Sequence, residues 1–369
     1  MAVSGWWWGL SLCAAMLSWQ AWQWASWWAI FEESDFARSI PLGNRQRAPG
    51  FSLAEVPSLA GRIVLITGAT SGIGLQLAKV VARAGAVTVL GYRSEARGQA
   101  ALDQVYHVAP NASASLLRLD LSSRRGVEAA AAEFARRFDG LHVLVNNGGI
   151  AASLGPRLRF SDGVEECFQE RRVNYLAHFQ LTLALLPLLQ RSAPSRIVHV
   201  SAAAHRHAPL HSSWLSLASI NDLAAHSIHE RYGMAELAQL AFSNELHRRL
   251  QRDGHADVLS NAVHPGIVAT GLLTANVQDN YGPLLGRVVG PLVRLRNKVL
   301  AYEVADGALT PLYAACSPSL RTGGGYFVPI AQPWRISHPL GTDKEFGRAL
   351  WTFSEELLAR PGEEEIRST

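Results

Sequence analysis

The chain has 369 residues, 48% hydrophobic and 17% charged, with a formal net charge of +4. So apolar a composition excludes intrinsic disorder, and three cysteines (Cys13, Cys167, Cys316) exclude a disulfide framework. The positive excess is too mild for a nucleic-acid partner, and no basic run with interleaved aromatics occurs.

From Met1 to Phe31 no side chain is charged, and eight of the eleven Trp fall here. A charge-free stretch of this length can span a bilayer, which needs about 20 apolar residues. Trp favours the membrane interface, and the Trp cluster at 6–8 and the one at 19–28 resemble two interfacial belts. Gln20, Gln23 and several Ser keep a second arrangement open, a helix lying in the interface. Arg38, Arg45 and Arg47 follow, which predicts a cytoplasmic C-terminal side. Residues 1–31 are therefore read as an anchor, in the endoplasmic reticulum or another intracellular membrane. Residues 32–56 are read as a linker broken by Pro41, Gly43, Pro49 and Gly50.

Residues 57–369 alternate strands and helices. Arg62–Thr67 is a short apolar run ending at Gly68, as in a buried parallel strand. Gly74–Ala84 has helical periodicity and stops at Gly85. Further strands are expected at Val87–Leu90, Ser115–Leu119, Leu141–Asn146, Arg196–Ser201 and Val258–Val263. Ala-rich residues 128–135 read as a surface helix. This alternation predicts an α/β fold: one doubly wound parallel sheet of the Rossmann type, helices on both faces.

The segment Thr67-Gly68-Ala69-Thr70-Ser71-Gly72-Ile73-Gly74 lies between the first strand and the first helix. Glycines at these positions permit a tight turn, approach of backbone N–H groups to a pyrophosphate, and close helix–strand packing. The loop has the form TGxxxGIG and resembles that of the short-chain dehydrogenase/reductase superfamily. The likeness extends over about residues 60–355. Asp120 matches the family's adenine-contacting Asp. Asn146-Asn147-Gly148-Gly149 resembles its NNAG motif, Asn174 its catalytic helix Asn, and Pro265-Gly266 with Thr270 the PGxxxT segment beside the nicotinamide. The segments 242–250 and 261–266 resemble the retinol dehydrogenase branch, which takes in the WW-domain oxidoreductase and the X-linked dehydrogenase/reductase.

The resemblance implies a nicotinamide dinucleotide held by Gly68, Thr70, Ser71, Gly72, Ile73, Gly74, Asp120, Asn147, Pro265, Gly266 and Thr270. An acid at the end of the second strand would favour NAD. Leu90-Gly91-Tyr92-Arg93-Ser94 has none, and the Arg93 guanidinium suits a 2′-phosphate, so NADP is favoured with NAD possible.

The implied catalytic set is incomplete. Tyr232 occupies the acid/base position, but the family's YGxSKLA becomes Tyr232-Gly233-Met234-Ala235-Glu236-Leu237-Ala238, with Glu236 where Lys belongs. Residues four apart share a helix face, which places Glu236 beside Tyr232. Ser201 matches the first Ser of VNVSS, and Ala202 falls at the catalytic second. A unit charge about 5 Å away is worth roughly 3 kcal/mol at an effective dielectric of 20, so exchanging + for − swings the Tyr environment by up to about 6 kcal/mol. His199, His205 and His229 are alternative proton routes.

Residues 271–303 occupy the family's substrate-lid position. Arg287, Arg294 and Lys298 share one helical face, with Leu284, Leu285, Val288, Val289 and Leu292 opposite, which suits a membrane surface and a lipophilic substrate. Two functions remain open. One is a membrane-anchored NADP-dependent oxidoreductase for a retinoid-, sterol- or polyprenol-like alcohol or carbonyl. The other is a catalytically inactive relative serving as scaffold or complex subunit.

Overall fold

The computed structural model describes residues 50–150, 172–221, 225–270 and 301–360. The anchor segment 1–31, most of the stretch read as linker and nearly all of the lid segment lie outside the described residues. Among the described residues no helix is long and apolar enough to cross a membrane.

The strands are β1 (Ile63–Ile66), β2 (Val87–Tyr92), β3 (Ala114–Arg118), β4 (Val143–Asn146), β5 (Ser195–Val200), β6 (Val258–Val263), β7 (Tyr326–Val328) and β8 (Gln332–Trp334). The principal helices are α1 (Gly72–Arg83), α2 (Glu95–Val108), α3 (Arg124–Arg137), α4 (Ala177–Arg191), α5 (Ile228–Arg252), α6 (Leu309–Cys316) and α7 (Lys344–Ala359). They build one sheet in the order β3-β2-β1-β4-β5-β6-β7-β8. Strands β1 to β7 pair in parallel, whereas β8 runs antiparallel to β7. The expected parallel sheet is present and carries in addition an antiparallel edge strand. Strands β7 and β8 are three residues each, too short to show a period, and Pro333 suits an edge where no ladder N–H is required.

Successive strand side chains point to opposite faces, so each strand feeds two cores. Leu65 packs with Phe134, Leu144, Phe179 and Phe242 on one face, whereas Val64 and Ile66 pack with Leu77, Val81 and Leu312 on the other. Phe179, Phe242 and Trp351 join α4, α5 and α7, with ring centroids 4.9–5.7 Å apart. Ala130 and Ala131 of the Ala-rich stretch are buried, so that face of α3 is core rather than surface. Phe51, inside the stretch read as linker, is buried edge-on against Tyr313.

The chain leaves β1 for β2 on one side and β4 on the other. The strand order therefore reverses between β1 and β4, and a crevice at the C-terminal ends of such a pair is where open α/β sheets bind ligands.

Candidate functional site

The glycine loop joins β1 to α1 at that reversal. Gly68 has φ +62°, a left-handed conformation that favours Gly. A Cβ on Gly74 would collide with the Gly68 carbonyl oxygen and the Asn147 amide. The loop thus brings bare backbone to the start of α1, where unpaired N–H groups suit a dinucleotide pyrophosphate. Ser71 is the exposed N-cap residue, and Thr70, Gly72 and Ile73 line the turn.

Asn147 ties the cradle to β4. Its side chain donates to the Thr67 carbonyl at 3.0 Å, and its backbone N–H donates to Thr67 Oγ1 at 2.9 Å. Thr270 closes the other side, since a Cβ on Gly72 would lie 3.1 Å from Thr270 Cγ2. The chain reaches Thr270 from buried Pro265 through Gly266 at φ +88°, steadied by the hydrogen bond from Ala269 N to the Tyr302 carbonyl at 3.0 Å. Asp120, just beyond β3, accepts from Ser122 N at 3.0 Å and Ser122 Oγ at 2.7 Å.

Arg93 is exposed immediately after β2. A second guanidinium reaches the loop: Arg97 Nη2 donates to Ser71 Oγ at 3.2 Å. The sequence reading missed Arg97. It lies in the first turn of α2, four residues after Arg93, which precedes the helix.

On the far side of β4, Asn174 sits in a π-helical turn, Arg172–Leu176, that opens α4. Such turns recur at functional sites. Ile150 N–H donates to Asn174 Oδ1 at 2.9 Å, and Asn174 Nδ2 donates to the Ile150 carbonyl at 3.0 Å. Those two backbone bonds fix the amide orientation, and the remaining N–H points to Glu236 Oε1 at 3.1 Å.

Glu236 is 4% exposed. Besides Asn174, the Tyr232 and Ser201 hydroxyls and the Ala202 backbone N–H stand close enough to its carboxyl to favour the ionised form. Ser201 Oγ also lies 3.0 Å from the Glu236 carbonyl. Burial pushes the carboxyl up to about 7, with the hydrogen bonds pulling against it. The structure thus brings Tyr232, Asn174 and Ser201 together around the residue at the Lys position. Ala202, beside Ser201, contributes no hydroxyl.

Of the three histidines read as alternative proton routes, His199 and His205 are buried and His229 is exposed. His199 is fully buried against Phe242, 3.4 Å from Asn146 Nδ2, and burial pushes it down to about 3. His205 bonds the Ala202 carbonyl at 2.9 Å and is pushed down to about 4. His229 pairs with His207, ring centroids 6.2 Å apart. Among the described residues no cluster of His, Cys, Asp and Glu could hold a metal.

This strand order, with the glycine loop at its reversal, defines an α/β fold of the Rossmann type. The chain belongs to the short-chain dehydrogenase family, whose pattern matches residues 62–214, and within it to the branch of the retinol dehydrogenases and the WW-domain oxidoreductase. It is 34% identical to the human (Homo sapiens) WW domain-containing oxidoreductase over 328 residues, 85% of this chain and 73% of that one. Mouse (Mus musculus) retinol dehydrogenase 14 is 33% identical over 331 residues, covering 87% and 91% of the two chains. Mouse polyprenol dehydrogenase is 34% identical over 318 residues, covering 83% and 87%. Among solved structures, an uncharacterized protein from Mycobacterium paratuberculosis superposes with a TM-score of 0.61 at 27% identity, over 85% of this chain and 99% of the other. The L-sorbose reductase of Gluconobacter frateurii, solved with NADPH and L-sorbose, shares the fold at a TM-score of 0.57 and 19% identity, over 75% and 98% of the chains.

Proposed function

We propose that the protein is a membrane-attached oxidoreductase that binds NADP(H) and acts on a lipophilic alcohol or carbonyl. One observation carries this reading: an unbroken run of contacts from cradle to Tyr232. Asn147 packs at Gly74, the same segment continues to Ile150, Ile150 holds Asn174, Asn174 holds Glu236, and Glu236 stands beside Tyr232. The dinucleotide would lie along the cradle, its pyrophosphate at the start of α1, its adenine end near Asp120 and its nicotinamide end near Pro265, Gly266 and Thr270. When bound it supplies a hydride. Arg93 and Arg97 supply positive charge for a 2′-phosphate, which supports NADP over NAD.

The lipophilic substrate class is supported by the relatives named for retinol and polyprenol, and by the apolar face expected of residues 284–292. Attachment is supported by the charge-free, Trp-rich segment 1–31. The expected location is the endoplasmic reticulum or another intracellular membrane, with the globular part facing the cytoplasm. Glu236 at the Lys position and Ala202 at the Ser position favour a second reading, an inactive relative acting as scaffold or subunit. The two separate on one experiment: NADPH affinity and hydride transfer to a lipophilic aldehyde, measured together on the detergent-solubilised full chain. Binding with transfer supports the first reading, and binding without transfer supports the second.

A further inference from the structure

The stretch read as linker is bound to the fold from residue 50 onward. Gly50 N–H donates to the Ile330 carbonyl at 3.0 Å. Phe51 is 1% exposed and edge-on to Tyr313 of α6, which is itself edge-on to Phe327 of β7. Ser52 donates from its backbone N–H and its hydroxyl to one Glu55 carboxyl oxygen, at 2.7 and 2.9 Å, which stiffens the turn that follows. Leu59 N–H then reaches the Ala84 carbonyl at the end of α1, and β1 begins at Ile63. Strands β1 and β7 run in the same direction. The chain therefore enters at the C-terminal rim of the sheet, beside the turn after β7, and descends to start β1 at the opposite rim.

The turn it touches needs holding. Ala331 has φ +55°, and among the described residues it alone is a non-glycine in the left-handed region. Backbone of this kind persists where its neighbours over-determine it. Two clamps act on it. From α6, Thr310 Oγ1 accepts from Ala331 N–H at 3.2 Å. From the other side, Gly50 comes so close that a Cβ there would lie 2.9 Å from the Ile330 carbonyl oxygen and 3.1 Å from that of Ala331. The same turn also bears on the segment Pro265–Thr270. A Cβ on Gly266 would lie 2.9 Å from Pro329 Cγ and 2.7 Å from the Tyr302 ring, so Gly266 is closed in between the two. Tyr302 N–H donates to the Ile267 carbonyl at 2.7 Å, and its carbonyl accepts from Ala269 N–H at 3.0 Å. Thr270 follows and meets Gly72 of the glycine loop.

We propose that residues 50–56 are a strap that positions the nicotinamide end of the cofactor site. Gly50 and Phe51 clamp the turn between β7 and β8, and that turn fixes Gly266 and the approach to Thr270. This deepens the dinucleotide-binding reading above and rests on it. Gly50 and Phe51 act through Pro329 and Gly266, so both are positioning residues. The adenine end, with Arg93, Arg97 and Asp120, belongs to the β2–β3 side of the sheet, away from β7 and β8. Loosening the strap therefore separates the two halves of the ligand: the nicotinamide half loses its support and the adenine half keeps it.

The experiment uses the detergent-solubilised full chain. Gly50→Ala adds one methyl group at an exposed position and leaves the core intact. Phe51→Ala removes the buried ring, and Thr310→Val releases the second clamp. Amide hydrogen exchange without ligand compares residues 262–270 with the stretch from α1 to β3. Titrations compare NADPH with adenosine 2′,5′-bisphosphate, which has the adenine and the 2′-phosphate but no nicotinamide. The expected result is faster exchange at 262–270 and at the turn after β7, with α1 to β3 unchanged. NADPH should bind about ten-fold more weakly, as for one lost hydrogen bond, and the bisphosphate within about two-fold of wild type. If Phe51→Ala or Thr310→Val does not fold, Gly50→Ala decides. If the bisphosphate binds too weakly to titrate, exchange from α1 to β3 serves as the unaffected reference. Unchanged exchange at 262–270, faster exchange spread evenly over the sheet, unchanged NADPH affinity, or equal losses of both ligands overturns the proposal. A wild type that binds neither ligand instead overturns the dinucleotide-binding reading beneath it, and the exchange result still decides whether the strap holds the segment.

Discussion

His178 Nε2 lies 3.0 Å from Thr67 Oγ1, and its other ring nitrogen lies 3.2 Å from the Asn174 carbonyl. One buried imidazole therefore ties the glycine loop to the π-helical turn that positions Asn174. Thr67 Oγ1 already accepts from the backbone N–H groups of Asn147 and Gly148, at 2.9 and 2.7 Å, which uses its two lone pairs. Its own proton faces two acceptors, His178 Nε2 at 3.0 Å and the Val145 carbonyl at 3.4 Å, and Gln239 Nε2 lies 3.1 Å from His178 Nδ1. Replacing His178 by Ala removes the imidazole that bridges the Thr67 hydroxyl and the Asn174 carbonyl, and a buried polar group left unsatisfied costs about 1–3 kcal/mol. His178→Ala should lower the urea midpoint and weaken NADPH binding together. Unchanged NADPH affinity in a destabilised variant would show that the link is structural only.

Four buried histidines make the fold acid-sensitive. Burial lowers His178 and His205 to about 4, and His199 and His264 to about 3. Unfolded histidine takes up a proton below about 6.5. Between there and about 4 the unfolded state therefore binds more protons, and stability falls as pH falls. Glu236 has the opposite sign. Its folded value of about 7 exceeds the ordinary carboxyl value of 4.5, so stability rises as pH drops through that interval. Four groups against one give a net loss below pH 6.5, read as a falling urea midpoint. A midpoint that stays flat down to pH 4.5 would contradict the neutral assignment of these histidines. Glu236→Gln should gain stability relative to wild type above pH 7 and not at pH 4.5.

Cofactor choice turns on two arginines. Arg93→Ala and Arg97→Ala should each weaken NADPH by roughly 10- to 100-fold, the range for a charge-assisted bond, and leave NADH nearly unchanged. Arg97 touches Ser71 at the loop, so its loss should be at least as large as that of Arg93. Equal NADPH and NADH affinity in the wild type would remove both residues from a phosphate role.

Six strands and the glycine loop were legible because buried parallel strands read as short apolar runs that end in loop residues. Ile63–Ile66 and Val258–Val263 fall within or on the expected bounds. The edge pair was not legible, because Tyr326–Val328 and Gln332–Trp334 are too short to carry a period. The identity of Glu236 was visible, but its environment was not. The amide that holds it comes from 62 residues away and is oriented by the Ile150 backbone. Arg97 was invisible for a related reason: its partner Ser71 lies 26 residues earlier in the chain.

Deleting residues 1–31 should move the protein from the membrane pellet to the soluble fraction, because this segment is free of charge and rich in Trp. A truncated chain that still sediments with membranes after a carbonate wash would place the attachment elsewhere, and residues 271–303 would be the next segment to remove.

The most direct test is single-turnover oxidation of bound NADPH on mixing with all-trans-retinal, in the wild type and in Tyr232→Phe. Glu236→Lys combined with Ala202→Ser serves as the reference for an ordinary family site. That variant should oxidise retinol orders of magnitude faster than the wild type, and each change alone should do less, because groups acting on one transition state are non-additive. The expected wild-type result is a decay of NADPH fluorescence that Tyr232→Phe abolishes. NADPH that stays reduced in the wild type, or decays equally in Tyr232→Phe, would show that Tyr232 is not a working proton donor.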